Sequence, residues 1–290
     1  MTGETRRARP WLGTIVDIRV RGLEEKHALR AIEAAFDEIA AIHALMSFHD
    51  PESELSRLNR CAAETSTPVG SRTREVLDLA LTIARESDGR FDPTVAADLV
   101  GWGFLPAPRG GRLPEPGASW RDVRLEDDLV RFARPLWIDL GGIAKGYAVD
   151  RAIERLLREG ATDACVNAGG DLRVIGSESE VVHLRLSRAA STSWLPAMEL
   201  RDVSVASSSG HLERRRQGAL WIGPHLHGRL RRPVGVNSSV SVVAGRCAVA
   251  DALTKVVLAD RRFAKRFLPH YDATALTHDP RRGWQIVGSP

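Results

Sequence analysis

The sequence is short of lysine, cysteine and aromatic side chains, and none of its apolar stretches is long. Its positive charge is almost all arginine, with lysine only at 26, 145, 255 and 265. Lys145 and Lys255 both fall inside motif-like stretches and are therefore more informative than lysines usually are. The three cysteines, Cys61, Cys165 and Cys247, are odd in number, far apart and without metal-ligand spacing. That argues against a disulfide framework and points to reduced, partly buried small residues. Aromatics make up 6% of the chain and the net charge of +4 is spread along it, so no nucleic-acid partner is expected. No apolar run reaches the length of a transmembrane segment. Near the N-terminus, Trp11 to Val16 is too short for the apolar part of an export signal, and Asp17 and Arg19 interrupt it. As the chain stands, the expected location is the cytoplasm, or the periplasmic side of the membrane if an export signal has been removed.

What is present is an ordinary globular balance, 43% hydrophobic and 27% charged over 290 residues, enough to bury a large core. It suits one domain over 1–290, or two intimately packed subdomains. Residues 11–21 alternate like a strand, and 24–46 carry Ala28, Ile32, Ala35, Phe36, Ile39, Ile42 and Leu45 at helical spacing. Further helices are expected at 53–58, at 71–87 and in the approach to Trp102-Gly103-Phe104. Residues 106–118, rich in Pro, Gly and Arg without hydrophobic period, read as a flexible surface loop. Strands are expected near 122–138 and at 163–167, 172–176, 181–187, 197–206, 219–223, 238–244 and 284–287. Helices are expected at 147–159, 247–258 and 261–268. The pattern is α+β, helices packed on largely antiparallel sheet.

The run Ile138-Asp139-Leu140-Gly141-Gly142-Ile143-Ala144-Lys145-Gly146-Tyr147-Ala148-Val149-Asp150 is the most telling. An apolar segment precedes it and a helical pattern follows, so strand, tight turn and helix N-terminus are expected. Amide donors and the positive end of a helix dipole then face whatever docks there, which suits a phosphate or pyrophosphate. Packing alone explains a lone glycine pair equally well.

Four other stretches accompany this one in a fixed order. Met46-Ser47-Phe48-His49-Asp50-Pro51-Glu52-Ser53-Glu54-Leu55-Ser56-Arg57-Leu58-Asn59 comes first, then Gly89-Arg90-Phe91-Asp92-Pro93-Thr94-Val95 with Trp102-Gly103-Phe104. After the glycine run come Val166-Asn167-Ala168-Gly169-Gly170-Asp171-Leu172 and then Val240-Ser241-Val242-Val243-Ala244, leading to Ala250-Asp251-Ala252-Leu253. The set resembles the ApbE family of flavin transferases, from Gly13-Thr14 to the helix after Asp251. The resemblance implies an ApbE-like (T-fold-related) α+β architecture and an FAD:protein FMN transferase. Family members bind FAD, usually with Mg²⁺, split its pyrophosphate, and move FMN to a Thr or Ser hydroxyl of a partner flavoprotein, releasing AMP. FAD and an acceptor flavoprotein are the partners so implied, and Mg²⁺ the cofactor. An FAD pyrophosphatase, with water as acceptor, and a non-catalytic flavin-binding protein stay open as alternatives.

The resemblance also assigns residues. Arg90, Phe91 and Asp92 match the turn that contacts FAD, and Asp139 and Lys145 match further FAD-contacting positions. Gly142 matches a position whose carbonyl can ligate the metal, and Asp251 the metal-binding carboxylate. Leu12, Met46 and Phe48 match the apolar lining of the flavin pocket, although core packing explains them about as well. Residues Asn167 to Asp171 read chiefly as a structural turn with an Asx-type bond.

Two places depart from the family pattern. The family usually has Thr four residues after the metal-binding Asp. Here Lys255 stands there, with Thr254 rotated by roughly 100° around the helix. A protonated lysine has no lone pair for Mg²⁺; it can pair with Asp251, or set its ammonium on the pyrophosphate in place of a metal. Upstream, His225 matches the family histidine, but the Asp, Thr and Gly that usually follow are replaced by a segment carrying Arg229, Arg231 and Arg232. Those arginines can hold phosphate bidentately or form a solvated basic loop. Asp251, Lys255 and His225 are the catalytic candidates.

Overall fold

A computed structural model describes residues 3–184, 196–210 and 213–288. The alternating segment expected as one strand at 11–21 is the second arm of a hairpin. Leu12 and Gly13 take φ of 55° and 72° and turn the chain back, so that β1 (Thr5–Trp11) pairs with β2 (Thr14–Arg21). These two begin an eight-stranded sheet. It continues through β3 (Asp163–Ala168), β4 (Asp171–Ile175), β5 (Ser204–Ser209), β6 (Ser239–Ala244), β7 (Thr274–Asp279) and β8 (Gly283–Val287). The strands lie side by side in chain order, every neighbour antiparallel. The helices are carried on the connections.

Those helices are α1 (Glu25–Met46), α2 (Glu54–Cys61), α3 (Ser71–Glu86), α4 (Ala96–Gly101), α5 (Ala144–Arg158), α6 (Cys247–Ala259) and α7 (Arg261–Phe267). In α1 the buried positions include Ala28, Ile32, Ala35, Phe36, Ile39, Ile42 and Met46, one stripe of an amphipathic helix. That stripe packs on α5, α5 packs on α6, and both α5 and α6 lie on the sheet. Period-two burial in β2 sets Val16, Ile18 and Val20 into this core and leaves Asp17 and Arg19 on the opposite face. A smaller apolar cluster on that opposite face unites Cys165, Leu172, Val174, Leu200 and Val205. The fold is α+β with a large antiparallel sheet, as expected.

Several boundaries differ. The segment expected near 122–138 supplies two short strands, Val123–Glu126 and Leu129–Phe132, joined with Thr67–Pro68 in a separate sheet. The strand expected at 197–206 is broken at Asp202 (φ 49°) into Ala197–Leu200 and β5. The strand expected at 181–187 is seen as Glu180–His183; residues 185–187 lie outside the described residues. Residues 106–118 carry no helix or strand. Cys61, Cys165 and Cys247 are free thiols. Among the described residues no helix is long and apolar enough to cross a membrane.

Candidate functional site

The glycine run is built differently from the strand–turn–helix expected of it. Residues 135–140 belong to no strand. Instead the buried side-chain amide of Asn59 does the work of a neighbouring strand, donating to the Ile138 carbonyl (2.9 Å) and accepting from the Ile138 N–H (2.7 Å). Asp139 N–H donates to the Pro93 carbonyl (2.8 Å), and Asp139 Oδ1 accepts from Gly141 N–H (3.0 Å). That Asx turn delivers the chain into α5. Gly146 is a packing residue: a Cβ there would lie 2.3 Å from the Cys247 carbonyl oxygen. The missing side chain lets α5 and α6 meet backbone to backbone at their N-terminal ends.

This close approach brings four charged groups together. Lys145, from the first turn of α5, forms an ion pair with Asp171 of β4 and lies 3.6 Å from Asp251 Oδ2. Lys255, one turn beyond Asp251 on α6, pairs with Asp251 Oδ1 and donates to Ser208 Oγ of β5 (3.2 Å). Both carboxylates are all but fully buried. Burial opposes charge on Lys145, but Asp171 and Asp251 outweigh it and raise its pKa. Burial likewise opposes charge on Asp251, yet the two lysines hold its pKa below the ordinary carboxylate value. Burial raises the pKa of Asp171, and the Asp251 charge adds to that effect.

The two lysines of the cluster line a cavity of about 850 Å³, within the size range of small-molecule sites. Of the residues expected at the site, Arg90, Phe91, Asp92, Asp139, Gly142, Lys145, His225 and Lys255 line it. Asp251 sits just behind, reached through the lysines. Leu12, Met46 and Phe48 are not among the lining residues: Met46 and Phe48 are buried in the main core, and Leu12 packs against it at the hairpin turn. Burial raises the pKa of Asp139. His225 is pushed down to about 3 by burial and then by the Lys255 and Lys145 charges, so its imidazole is neutral at neutral pH. Arg90 pairs with Asp260 (3.1 Å) and stacks on the Phe263 ring at 3.7 Å.

The arginine segment after His225 is divided: Arg229 and Arg232 are exposed, as in a solvated loop, and Arg231 is not. Arg231 is turned inward, donating to Asp92 Oδ2 (3.0 Å), Thr94 Oγ1 and the Thr94 and Ala118 carbonyls (3.1 Å each). Asp92 is thereby committed to the scaffold, its other oxygen accepting from Thr94 N–H and Oγ. Arg229 pairs with Asp88 at the surface. The turn at 167–171 has the expected bond, Gly170 N–H to Asn167 Oδ1 (2.9 Å). Asp171 itself is more than a turn residue, since it faces the helices and holds Lys145. Asp150 also had no role in the sequence reading. Its two buried oxygens accept from the Cys247 and Ala248 amides that open α6.

As arranged, these residues do not fit a divalent cation. One Asp251 oxygen is taken by the Lys255 ammonium. The other faces Lys145 and the Gly146 amide at 3.4 Å. Among the described residues no three or more His, Cys, Asp or Glu are grouped to hold a metal ion.

Comparison with known proteins identifies the family and the fold. A protein named FAD:protein FMN transferase from Chlamydia pneumoniae is 28% identical over 250 residues, 81% of this chain and 77% of that one. One of the same name from Rhodobacter capsulatus is 28% identical over 253 residues, 83% of this chain, which spans about half (48%) of that protein's length. Among solved structures, the ApbE protein from Thermotoga maritima superposes with a TM-score of 0.84 at 25% identity, covering 98% of this chain and 96% of that one. The Vibrio cholerae flavin transferase ApbE shares the fold (TM-score 0.78, 21% identity, 100% of this chain and 98% of that one). The ApbE family model matches residues 12–275, and by that span the chain belongs to the ApbE family.

Proposed function

We propose that this chain is an FAD:protein FMN transferase that cleaves FAD within the 850 Å³ cavity and esterifies FMN to a Thr or Ser hydroxyl of a partner flavoprotein, releasing AMP. The observation that carries this reading is the meeting, on one wall, of two lysine ammoniums, the Gly141–Gly142 turn and a neutral imidazole. Phosphoryl transfer asks for little covalent help from the protein. It asks for charge neutralisation, alignment and a proton acceptor.

The residues supply these as follows. Lys145 and Lys255 meet the pyrophosphate, with the ring of Phe91 beside them. Asp139, Asp92 and Arg90 shape the surrounding wall, while Met46, Phe48 and Leu12 support it from the core side. His225 accepts the proton of the attacking hydroxyl at a ring nitrogen. It is a weak base because burial, and then the nearby lysine charges, disfavour its protonation. A bound dianionic pyrophosphate cancels those charges and raises its proton affinity when the proton must move. Asp251 and Gly142 take positioning roles, holding Lys255 and giving it room.

The test is incubation of purified protein with FAD and an acceptor carrying the target Thr, with and without Mg²⁺. Covalent FMN on the acceptor, with AMP released, is the expected outcome. AMP and free FMN without labelled acceptor would make the protein a pyrophosphatase. FAD held without turnover would make it a flavin-binding protein.

A further inference from the structure

We infer that Lys255, acting with Lys145, takes the place of a divalent cation, so that this chain binds and cleaves FAD without a metal. The inference rests on the FAD reading above and concerns how the pyrophosphate charge is met.

A cation shared between Asp251 and the Gly142 carbonyl would need a carboxylate oxygen open towards the cavity. Here each Asp251 oxygen already faces a fixed positive group, Lys255 on one side and Lys145 on the other. The Lys255 stem also runs past Gly142: a Cβ on that glycine would be 3.3 Å from Lys255 Cε. The side chain therefore passes close to Gly142 and ends on Asp251. Its ammonium is anchored by Asp251 Oδ1, while its contacts to Ser208 Oγ and the Asp251 carbonyl are longer, 3.2 Å each. Those two are the ones a phosphate oxygen can replace.

Among the described residues the Lys145 ammonium meets two carboxylates, which leaves its third N–H for a cavity ligand. Both ammoniums are held in place by buried carboxylates, and each can still donate an N–H to a pyrophosphate oxygen. The fold supplies them permanently, whereas a metal must be recruited from solution. In the step itself, the acceptor oxygen forms a bond to the flavin-side phosphorus and its proton passes to His225. The bond from that phosphorus to the bridging oxygen breaks, and AMP leaves with the electron pair. Both ammoniums stay protonated throughout.

The experiment measures FAD affinity of the whole chain by flavin fluorescence, in excess EDTA and in excess Mg²⁺, and Mn²⁺ binding by electron paramagnetic resonance. Wild type should bind FAD equally in both conditions, within roughly twofold, and bind no Mn²⁺. Lys255→Thr should weaken FAD binding in EDTA by roughly tenfold or more, regain affinity on adding Mg²⁺, and bind Mn²⁺. Circular dichroism checks that the variant folds, and the wild-type measurements decide the matter if it does not. Mg²⁺-dependent FAD binding or bound Mn²⁺ in wild type would overturn the inference and leave the FAD reading intact. The same holds if folded Lys255→Thr binds FAD in EDTA as tightly as wild type. Failure of wild type to bind FAD in either condition would overturn the FAD reading itself.

Discussion

Replacing Asp150 with Ala tests whether one buried carboxylate sets the geometry of the whole charged cluster. Helix α6 has no side-chain cap of its own at Arg246. Asp150, fully buried on α5, fills that role from a distance, accepting from Cys247 N–H (2.9 Å) and Ala248 N–H (3.0 Å) and pairing with Arg173 (2.9 Å). The variant leaves two amides and a guanidinium without their partner. An unsatisfied buried donor costs about 1–3 kcal/mol, and breaking a buried ion pair about 3–5 kcal/mol. These losses overlap, and Arg173 keeps 22% side-chain exposure, so a total of about 4 kcal/mol is expected. Urea unfolding followed by circular dichroism measures it; the matching fall in Tm is about 7 °C. Because Asp251 and Lys255 ride on α6, FAD affinity should fall as well. Asp150→Asn retains an acceptor but turns an N–H₂ towards an amide, and should fall between. A loss below about 1 kcal/mol for Asp150→Ala would refute the capping argument.

Three further expectations follow from the same contacts. Gly146→Ala drives a methyl into the Cys247 backbone at 2.3 Å, where no flexible side chain can yield; a loss of about 3 kcal/mol or more is expected by urea unfolding, and wild-type stability would contradict it. Asn59→Ala strips both polar partners from Ile138 and should cost about 2–4 kcal/mol, with weakened FAD binding as the Asp139 turn loosens. His225, with its pKa lowered to about 3, gives a pH signature. Below its ordinary value the unfolded chain takes a proton that the folded chain refuses, so stability falls as pH drops from about 6.5 towards 3, by at most about 1.4 kcal/mol per unit. His225→Gln should remove that one-proton slope; identical slopes in variant and wild type would count against a neutral imidazole held in the cavity wall.

The family, the α+β class and most helices are legible in the sequence because each rests on local pattern. The stripe of α1 is a period of 3.6 residues, and the five motifs are contiguous stretches that need no tertiary contact to be recognised. The breaks at Leu12 and Asp202 were harder to see, since each lies inside a stretch whose apolar pattern reads as continuous strand and only Gly13 beside Leu12 marks a turn. Asn59 was even less visible. An asparagine that imitates a strand for a segment 79 residues away has no local signature. The inward turn of Arg231 was hidden for the same reason: nothing local in the basic loop tells one of its arginines from the others until Asp92 and Thr94 are seen to surround that guanidinium.

The departure at Lys255 divides most clearly between the two levels. From the sequence alone, lysine stands where an oxygen ligand is usual, and chemistry dictates that an ammonium cannot coordinate a cation. What the lysine does instead was open between an i,i+4 pair of little weight and a charge aimed at the pyrophosphate. Only the packing of α5 and α6 against β4 and β5 sets where its ammonium lies. It buries Asp251, closes its oxygens with Lys145 and Lys255, and turns both stems onto one cavity. The residues involved are separated by up to 110 positions, from Lys145 to Lys255. Their mutual distances are therefore set by long-range packing, and no local period in the sequence encodes them.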